Sequence, residues 1–318
     1  MPNSSSITRS AFLKGLALSA VAPFLPAVQP AVSAELNITE IAPGVFVHQG
    51  RHQLSTADNG GDICNLTLIV GKQSAAVIDT GGSLRIGREA REAFKSVTPK
   101  PIRYVINTHM HPDHVFGNAA FSDDQPEFIA HYKMARGLAA RSERYLAVNR
   151  GLIGEAAFEG TKIVVPTREV KDTLDLDLGD RTITLTARPT AHTDNDLTVF
   201  DQTTRTFVLG DLLFAGHTPA IDGSILGWLK LIATLRAEKG DRVVPGHGPA
   251  SMPWPDALLP LERYLRTIVD DVRAMIKAGK PISEAIKTAG YSEKNSWELF
   301  DDFHVRNVTA AFAELEWE

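Results

Sequence analysis

The chain has 318 residues and a single cysteine, Cys64, so it forms no internal disulfide and no thiolate zinc cluster. Any metal it binds is left mainly to His, Asp or Glu. It also lacks a surplus of positive charge: 33 Lys and Arg stand against 38 Asp and Glu, a formal net charge of -5. That balance argues against a broad electrostatic grip on nucleic acid or on an acidic lipid surface. Beyond residue 34 there is no apolar run of the ~20 residues that a membrane span needs. Nor is there an internal repeat, a low-complexity tract or a linker long enough to separate a pair of domains. What remains, 43% hydrophobic and 22% charged residues, is the composition of an ordinary globular domain.

The N-terminus reads differently. An acid-free segment carries Arg9 and Lys14, the apolar run Gly15 to Leu25 follows, and Val32-Ser33-Ala34 supplies the small residues that suit signal peptidase. Residues 1–34 therefore read as an export signal. Thr8-Arg9-Ser10-Ala11-Phe12-Leu13-Lys14 resembles a twin-arginine signal in which Ser10 stands at the place of the second arginine, so both export routes stay open. Removal of this segment takes the net charge from -5 to -7. It leaves residues 35–318 as one expected domain in the bacterial periplasm, with no stable membrane anchor.

Short β-branched and apolar runs at 44–48, 66–70, 75–78 and 103–106 predict strands. Between the third and fourth, Leu84, Ile86, Ala90, Phe94 and Val97 mark one face of a helix over 84–97. Further strands are expected at 162–165, 182–187, 197–200 and 206–209, with Asp201 to Arg205 as a hairpin turn, and a helical pattern covers 132–148. After Pro255 the chain turns helical, over 256–278, 282–289 and 307–315. The alternation predicts an α/β fold with helices outside paired sheets.

The strand at 103–106 runs into Asn107-Thr108-His109-Met110-His111-Pro112-Asp113-His114, four metal-ligand candidates in six residues. His109 and His111 are two apart, so in extended backbone both imidazoles project to one side and share one ion. Pro112 favours a turn, which aims Asp113 and His114 at a second ion, with a helix entering at Val115. His192, Asp211 and His247 each come after an apolar strand, where side chains converge at one end of a sheet, and Gly210 and Gly246 permit close approach.

These residues resemble, in order and spacing, the His-x-His-x-Asp-His motif and later motifs of the metallo-β-lactamase superfamily. Val77-Ile78-Asp79-Thr80-Gly81 is similar to that superfamily's first motif, whose aspartate supports ligands rather than binding metal. The resemblance implies a four-layer αββα sandwich, two central mixed β-sheets flanked by helices. It also implies two zinc ions: His109, His111 and His192 on the first, Asp113, His114 and His247 on the second, and Asp211 between them. The His and Asp donor set also admits iron. Four stretches, Asp79 to Arg85, His114 to Asn118, Ala191 to Leu197 and Phe303 to Thr309, resemble the quinoprotein relay system zinc metallohydrolase branch. That likeness implies export and association with a periplasmic quinoprotein dehydrogenase system. Asp211 stands where the commonest class B β-lactamases have cysteine, so the site more closely resembles glyoxalase II hydrolases and acyl-homoserine lactonases.

The resemblance implies hydrolysis of a small ester, lactone, thioester or amide. Its nucleophile is a water that two zinc ions about 3.5 to 4 Å apart ionise near neutral pH. Asp113 is the candidate catalytic group that steers the proton. A β-lactamase or lactonase, and a metal-binding accessory protein of a quinoprotein dehydrogenase system, are the competing expectations; the acidic balance disfavours a nuclease. The segment 51–62 reads equally as a flap over the metals or as an exposed turn. His217, Trp228 and Asn195 are candidates for the pocket wall. Cys64, His48, His52, His131 and His304 read as structural or surface residues.

Overall fold

The computed structural model describes residues 36–318, so the export signal expected at 1–34 lies outside the described residues. Its strands are β1 (Ile38–Ala42), β2 (Val45–His48), β3 (Leu66–Val70), β4 (Ala75–Ile78), β5 (Ile102–Ile106), β6 (Glu127–His131) and β7 (Arg168–Val170), which pair in that order as one sheet. Then come β8 (Thr173–Asp177), β9 (Thr182–Ala187), β10 (Leu197–Asp201), β11 (Thr206–Phe214), β12 (Arg242–His247) and β13 (Met252–Pro253), which pair in sequence order in a second sheet. Both sheets mix parallel and antiparallel ladders. The helices are α1 (Leu84–Val97), α2 (Pro112–Val115), α3 (Met134–Ile153), α4 (Glu155–Phe158), α5 (Ile225–Leu235), α6 (Leu259–Lys277), α7 (Ile282–Thr288) and α8 (Phe300–Leu315).

Side-chain alternation sorts the strands into layers. In the first sheet Ile69, Ala76, Ile78, Tyr104 and Ile106 face Ile183, Leu185, Val199, Val208 and Val244 of the second, forming the inter-sheet core. The alternate residues Leu68, Val77 and Val105 turn outward onto Ile86, Ala90 and Phe94 of α1. On the far side Phe207, Leu209 and Val243 meet Trp228, Leu261, Tyr264 and Phe312 from α5, α6 and α8. The result is two central mixed sheets with helices on both outer faces, the α/β sandwich expected. α1 occupies the expected span because Ser83 caps its first turn, accepting from Ile86 N at 3.3 Å.

Three expectations need correction. The run 162–165 joins no ladder: Ile163 and Val164 pack into separate apolar clusters, Pro166 interrupts, and pairing begins at Arg168. The helix expected to enter at Val115 instead ends there. Pro112 fits the first helical position, so α2 starts at once and is followed by a 3₁₀ turn over Asn118–Asp124. Asp211 lies inside β11 and His247 is the last residue of β12, rather than each following its strand. Among the described residues no helix is long and apolar enough to cross a membrane.

Candidate metal centre

The seven residues singled out in the sequence come together at one end of the sandwich. The loop after β5 carries His109 and His111; it bends at Thr108 to Met110 instead of running extended as expected, and only His111 has extended backbone. α2 carries Asp113 and His114, the β9–β10 loop brings His192, and β11 and β12 bring Asp211 and His247. The glycines supply close approach, of β12 to β11 at Gly246 and of the loop carrying Thr108 to β11 at Gly210. A Cβ on Gly246 would lie 2.0 Å from Asp211 Oδ1, and one on Gly210, at φ +53°, would lie 2.4 Å from Thr108 Oγ1.

Two donor groups share Asp211. His109, His111, His192 and Asp211 form one, and His114, Asp211 and His247 the other. Asp211 Oδ2 lies 3.6 Å from His109 Nε2 and 3.4 Å from His192 Nε2, while Oδ1 lies 3.1 Å from His114 Nε2 and 3.4 Å from His247 Nε2. Asp113 Oδ2 closes the second group, 3.4 Å from His114 Nε2 and 3.2 Å from His247 Nε2. His111 Nδ1 and His192 Nε2 are 3.0 Å apart. Donors around a tetrahedral zinc, with bonds of about 2.0–2.1 Å, are spaced about 3.3–3.4 Å. The observed spacings bracket that value.

The outward nitrogens are all occupied. His109 Nδ1 lies 3.1 Å from Thr108 Oγ1, whose hydroxyl donates to Asp79 Oδ2 at 2.7 Å, and His114 Nδ1 donates to that same oxygen at 2.8 Å. His192 Nδ1 donates to Ala220 O at 2.7 Å, His247 Nδ1 to Ile63 O at 2.8 Å, and His111 Nε2 to Asp222 Oδ2 at 3.2 Å. Each ring is thus oriented with one nitrogen aimed inward. His109 Nε2, His114 Nε2 and Asp211 Oδ1 are buried with no hydrogen-bond partner. Such orphans are costly in a dry interior, and metal coordination would satisfy them. The residues therefore fit the metals that the motif implies.

Without metal the group is electrostatically polarised. Burial works against ionisation of Asp211, but His247, His114 and His109 outweigh it and hold the carboxyl well below its usual range. Asp113 is held low in the same way, against burial, by His114 and His247. Burial pushes His192 down to about 3, keeping it a neutral ligand. His247 rises to about 9 despite burial, because Asp211 and Asp113 face it.

The donors open onto a cleft of about 720 Å³, of the size that takes a small organic molecule. Phe214 and His217 form its floor beside His247, and Phe303 and Arg306 of α8 and Arg141, Arg144, Tyr145 and Val148 of α3 form its walls. Phe214 stacks on His247 with centroids 5.0 Å apart. Of the pocket candidates only His217 lines the cleft. Trp228 props His192 from behind, its ring 5.4 Å away, and Asn195 is buried, donating to Asp194. The segment 51–62 is pinned at its base, where Gly60 O accepts from Ser83 and Asp62 binds His48, while Ser55 reaches the rim.

Cys64 is buried against the second donor group, its Sγ 2.9 Å from Asp113 O, and burial pushes its thiol up to about 12. It is buried, as expected, and its Sγ also falls within a donor group with Asp113 and His114. His48, His131 and His304 are likewise buried and hydrogen-bonded. Sequence reasoning missed Asp222 and the α3 and α8 wall. Arg141, Arg144, Tyr145 and Val148 do fall at helical i, i+3, i+4 and i+7 spacing, which marks a shared face but not what that face meets.

Fold and site together define an α/β sandwich built around a cluster of His and Asp donors that could hold metal. Residues 59–247 match the Metallo-beta-lactamase superfamily, and the chain belongs to it. It is similar to the linear primary-alkylsulfatase of a Pseudomonas species, 24% identical over 217 residues, a match covering 57% of this chain and 40% of that protein. The chain thus spans well under two thirds of that relative. Among solved structures it is similar to the inverting sec-alkylsulfatase Pisa1 from Pseudomonas sp., with TM-score 0.67 and 13% identity over 88% of this chain and 50% of that one. It is also similar to the metallo-beta-lactamase FIM-1 from Pseudomonas aeruginosa, described in a mono-zinc form, with TM-score 0.56 and 17% identity over 73% of this chain and 96% of that one. At such identities the likeness establishes the fold.

Proposed function

We propose that the protein is an exported di-zinc hydrolase that cleaves a small ester, lactone, thioester or amide. The observation that carries this reading is the pair of donor groups sharing the two oxygens of Asp211, with buried orphan donors aimed between them. Bound there, two divalent ions supply Lewis acidity and bring the ionisation of water to near pH 7. The chain's own residues do the rest. Asp113, at the cleft face of the centre, is the carboxylate placed to steer the proton of the attacking water towards the leaving group. Asp222 keeps His111 turned inward, and Phe214 and Trp228 exclude water behind His247 and His192. No Ser or Cys nucleophile is needed. Periplasmic location and association with a quinoprotein dehydrogenase system belong to the same proposal, supported by the N-terminal segment and the branch-like stretches.

A second reading, a sulfate ester substrate, is favoured by the three arginines on the cleft wall and by the likeness to alkylsulfatases. Elemental analysis of protein purified from the periplasm without added metal tests the centre: about two zinc ions per chain is expected. Absence of bound metal would put the accessory-protein reading ahead. Turnover of lactones, thioesters, β-lactams and alkyl sulfates at matched concentration then separates the substrate classes.

A further inference from the structure

The cleft wall carries more positive charge than its neighbours neutralise. Leaving aside Asp113 and Asp211, which face the metal donors, the cleft is lined by three guanidiniums, Arg141, Arg144 and Arg306, and one carboxylate, Asp222. That carboxylate is already shared: Oδ2 accepts from His111 Nε2 at 3.2 Å and from Arg141, and Oδ1 accepts from Arg306 Nη2 at 3.2 Å. Arg144, about one helical turn along α3 from Arg141, is exposed at the mouth. Among the described residues it has no carboxylate within ion-pair reach. A chain of net charge -5 thus assembles a local cationic surplus beside its reaction centre. Clefts lined by one sign of charge concentrate ligands of the other.

We propose that this wall is an anion subsite: the substrate carries, besides the bond cleaved at the metal centre, a second and remote oxyanion such as a carboxylate or sulfonate, held by Arg144 and Arg306. This rests on the hydrolase reading above. The guanidinium suits the task because its planar N–H pairs match two oxygens of an oxyanion, whereas the neutral end of an aliphatic substrate would leave those donors to water. Arg141, tied to Asp222 and donating to Tyr145 Oη at 3.3 Å, positions the wall rather than the substrate, whereas the more exposed Arg306 gives only Nη2 to Asp222 and keeps its other N–H groups for a ligand. Two arginines from different elements, α3 and α8, also fix the length of molecule that bridges from the centre to the subsite.

The test compares 4-nitrophenyl hydrogen glutarate with 4-nitrophenyl pentanoate, esters of equal chain length that differ in a terminal carboxylate. The zinc-loaded enzyme is expected to favour the anionic ester roughly tenfold or more in kcat/KM, mostly through KM. The preference should shrink as salt rises from about 0.05 to 0.5 M, and in Arg144→Ala and Arg306→Ala it should fall toward one. Equal treatment of the two esters by the wild type overturns the subsite and leaves the hydrolase reading standing. If neither ester is cleaved, the ester reading fails, and calorimetry with glutarate judges the subsite alone. Affinity lost roughly tenfold in Arg144→Ala supports it, and equal affinity in wild type and both variants overturns it.

Discussion

Asp79 shows how much of the centre is set one residue behind the ligands. Its Oδ1 accepts from Thr108 N at 2.8 Å and its Oδ2 orients His114 directly and His109 through Thr108, all from a backbone at φ 58°. Asn tolerates that left-handed conformation, so Asp79→Asn removes the carboxylate's charge without adding backbone strain. We expect zinc affinity, measured by chelator competition, to fall about 10- to 100-fold; an unchanged affinity would show that the rings orient themselves. Asp211→Ala and His111→Ala should lower hydrolysis by orders of magnitude with the far-UV circular dichroism retained, and full activity in either would remove the di-zinc assignment. The ligand candidates were legible because four sit within six residues and the others sit beside glycine, proline or strand signals. Asp222, Arg141 and Arg306 were not: Arg141 and Arg306 reach the site through the packing of α3 and α8, and Asp222 through the fold of the β11–α5 loop against His192, which no local spacing encodes.

Elements repeat this division. β3, β4, β9 and α1 follow from the sequence residue for residue: β3 and β4 are short apolar runs buried on both faces, β9 and α1 bury one face, and each is bounded by a Ser, Gly or Pro signal. β8 went unread although Thr173-Leu174-Asp175-Leu176-Asp177 alternates cleanly, and α5 because Ile225 to Leu235 is apolar nearly all round and shows no stripe. The reason lies in the packing: α5 is buried by α6 and α8 as well as by the sheet. Its first turn is held by α8, whose Glu314 accepts from Ser224 Oγ at 2.6 Å and Ile225 N at 2.8 Å. Trp228 is fully buried in this cluster and donates to Leu212 O at 3.1 Å. Trp228→Ala is therefore expected to cost about 3–5 kcal/mol. Urea unfolding measures it, and a loss within ~0.5 kcal/mol would contradict the packing assigned to α5.

At the scale of the whole molecule the two sheets are clamped at opposite ends. At one end Arg181, between β8 and β9, pairs with buried Asp201 through two hydrogen bonds of 2.9 and 2.7 Å and donates across the sandwich to Pro43 O and Val70 O. Burial pushes the Asp201 carboxyl up, but Arg181 and Thr204 outweigh it and hold it below the usual range. A depressed carboxyl contributes stability above its unfolded value of about 3.9 and loses it as pH falls through the folded value. The stability gap between wild type and Asp201→Asn should therefore be constant near neutrality and close below about pH 4; a gap that widens on acidification would reverse the sign. At the other end the metal centre draws His109, His111, Asp113 and His114 from the first sheet's side and His192, Asp211 and His247 from the second's. Metal binds this arrangement only when both sheets are in place. Free zinc at 100 times its dissociation constant adds about 2.7 kcal/mol per site, and in a domain of this size that is a Tm shift of about 4–5 °C. Chelation should lower the calorimetric Tm by at least that much, and zinc should restore it. Because the clamps share no residue and lie at opposite ends, their effects should add: chelated Asp201→Asn should lose the sum of the two single losses within about 0.5 kcal/mol. A larger combined loss would mean that the sheets communicate through their shared core of Ile78, Ile106, Val199 and Val208 rather than standing as two independently fastened ends.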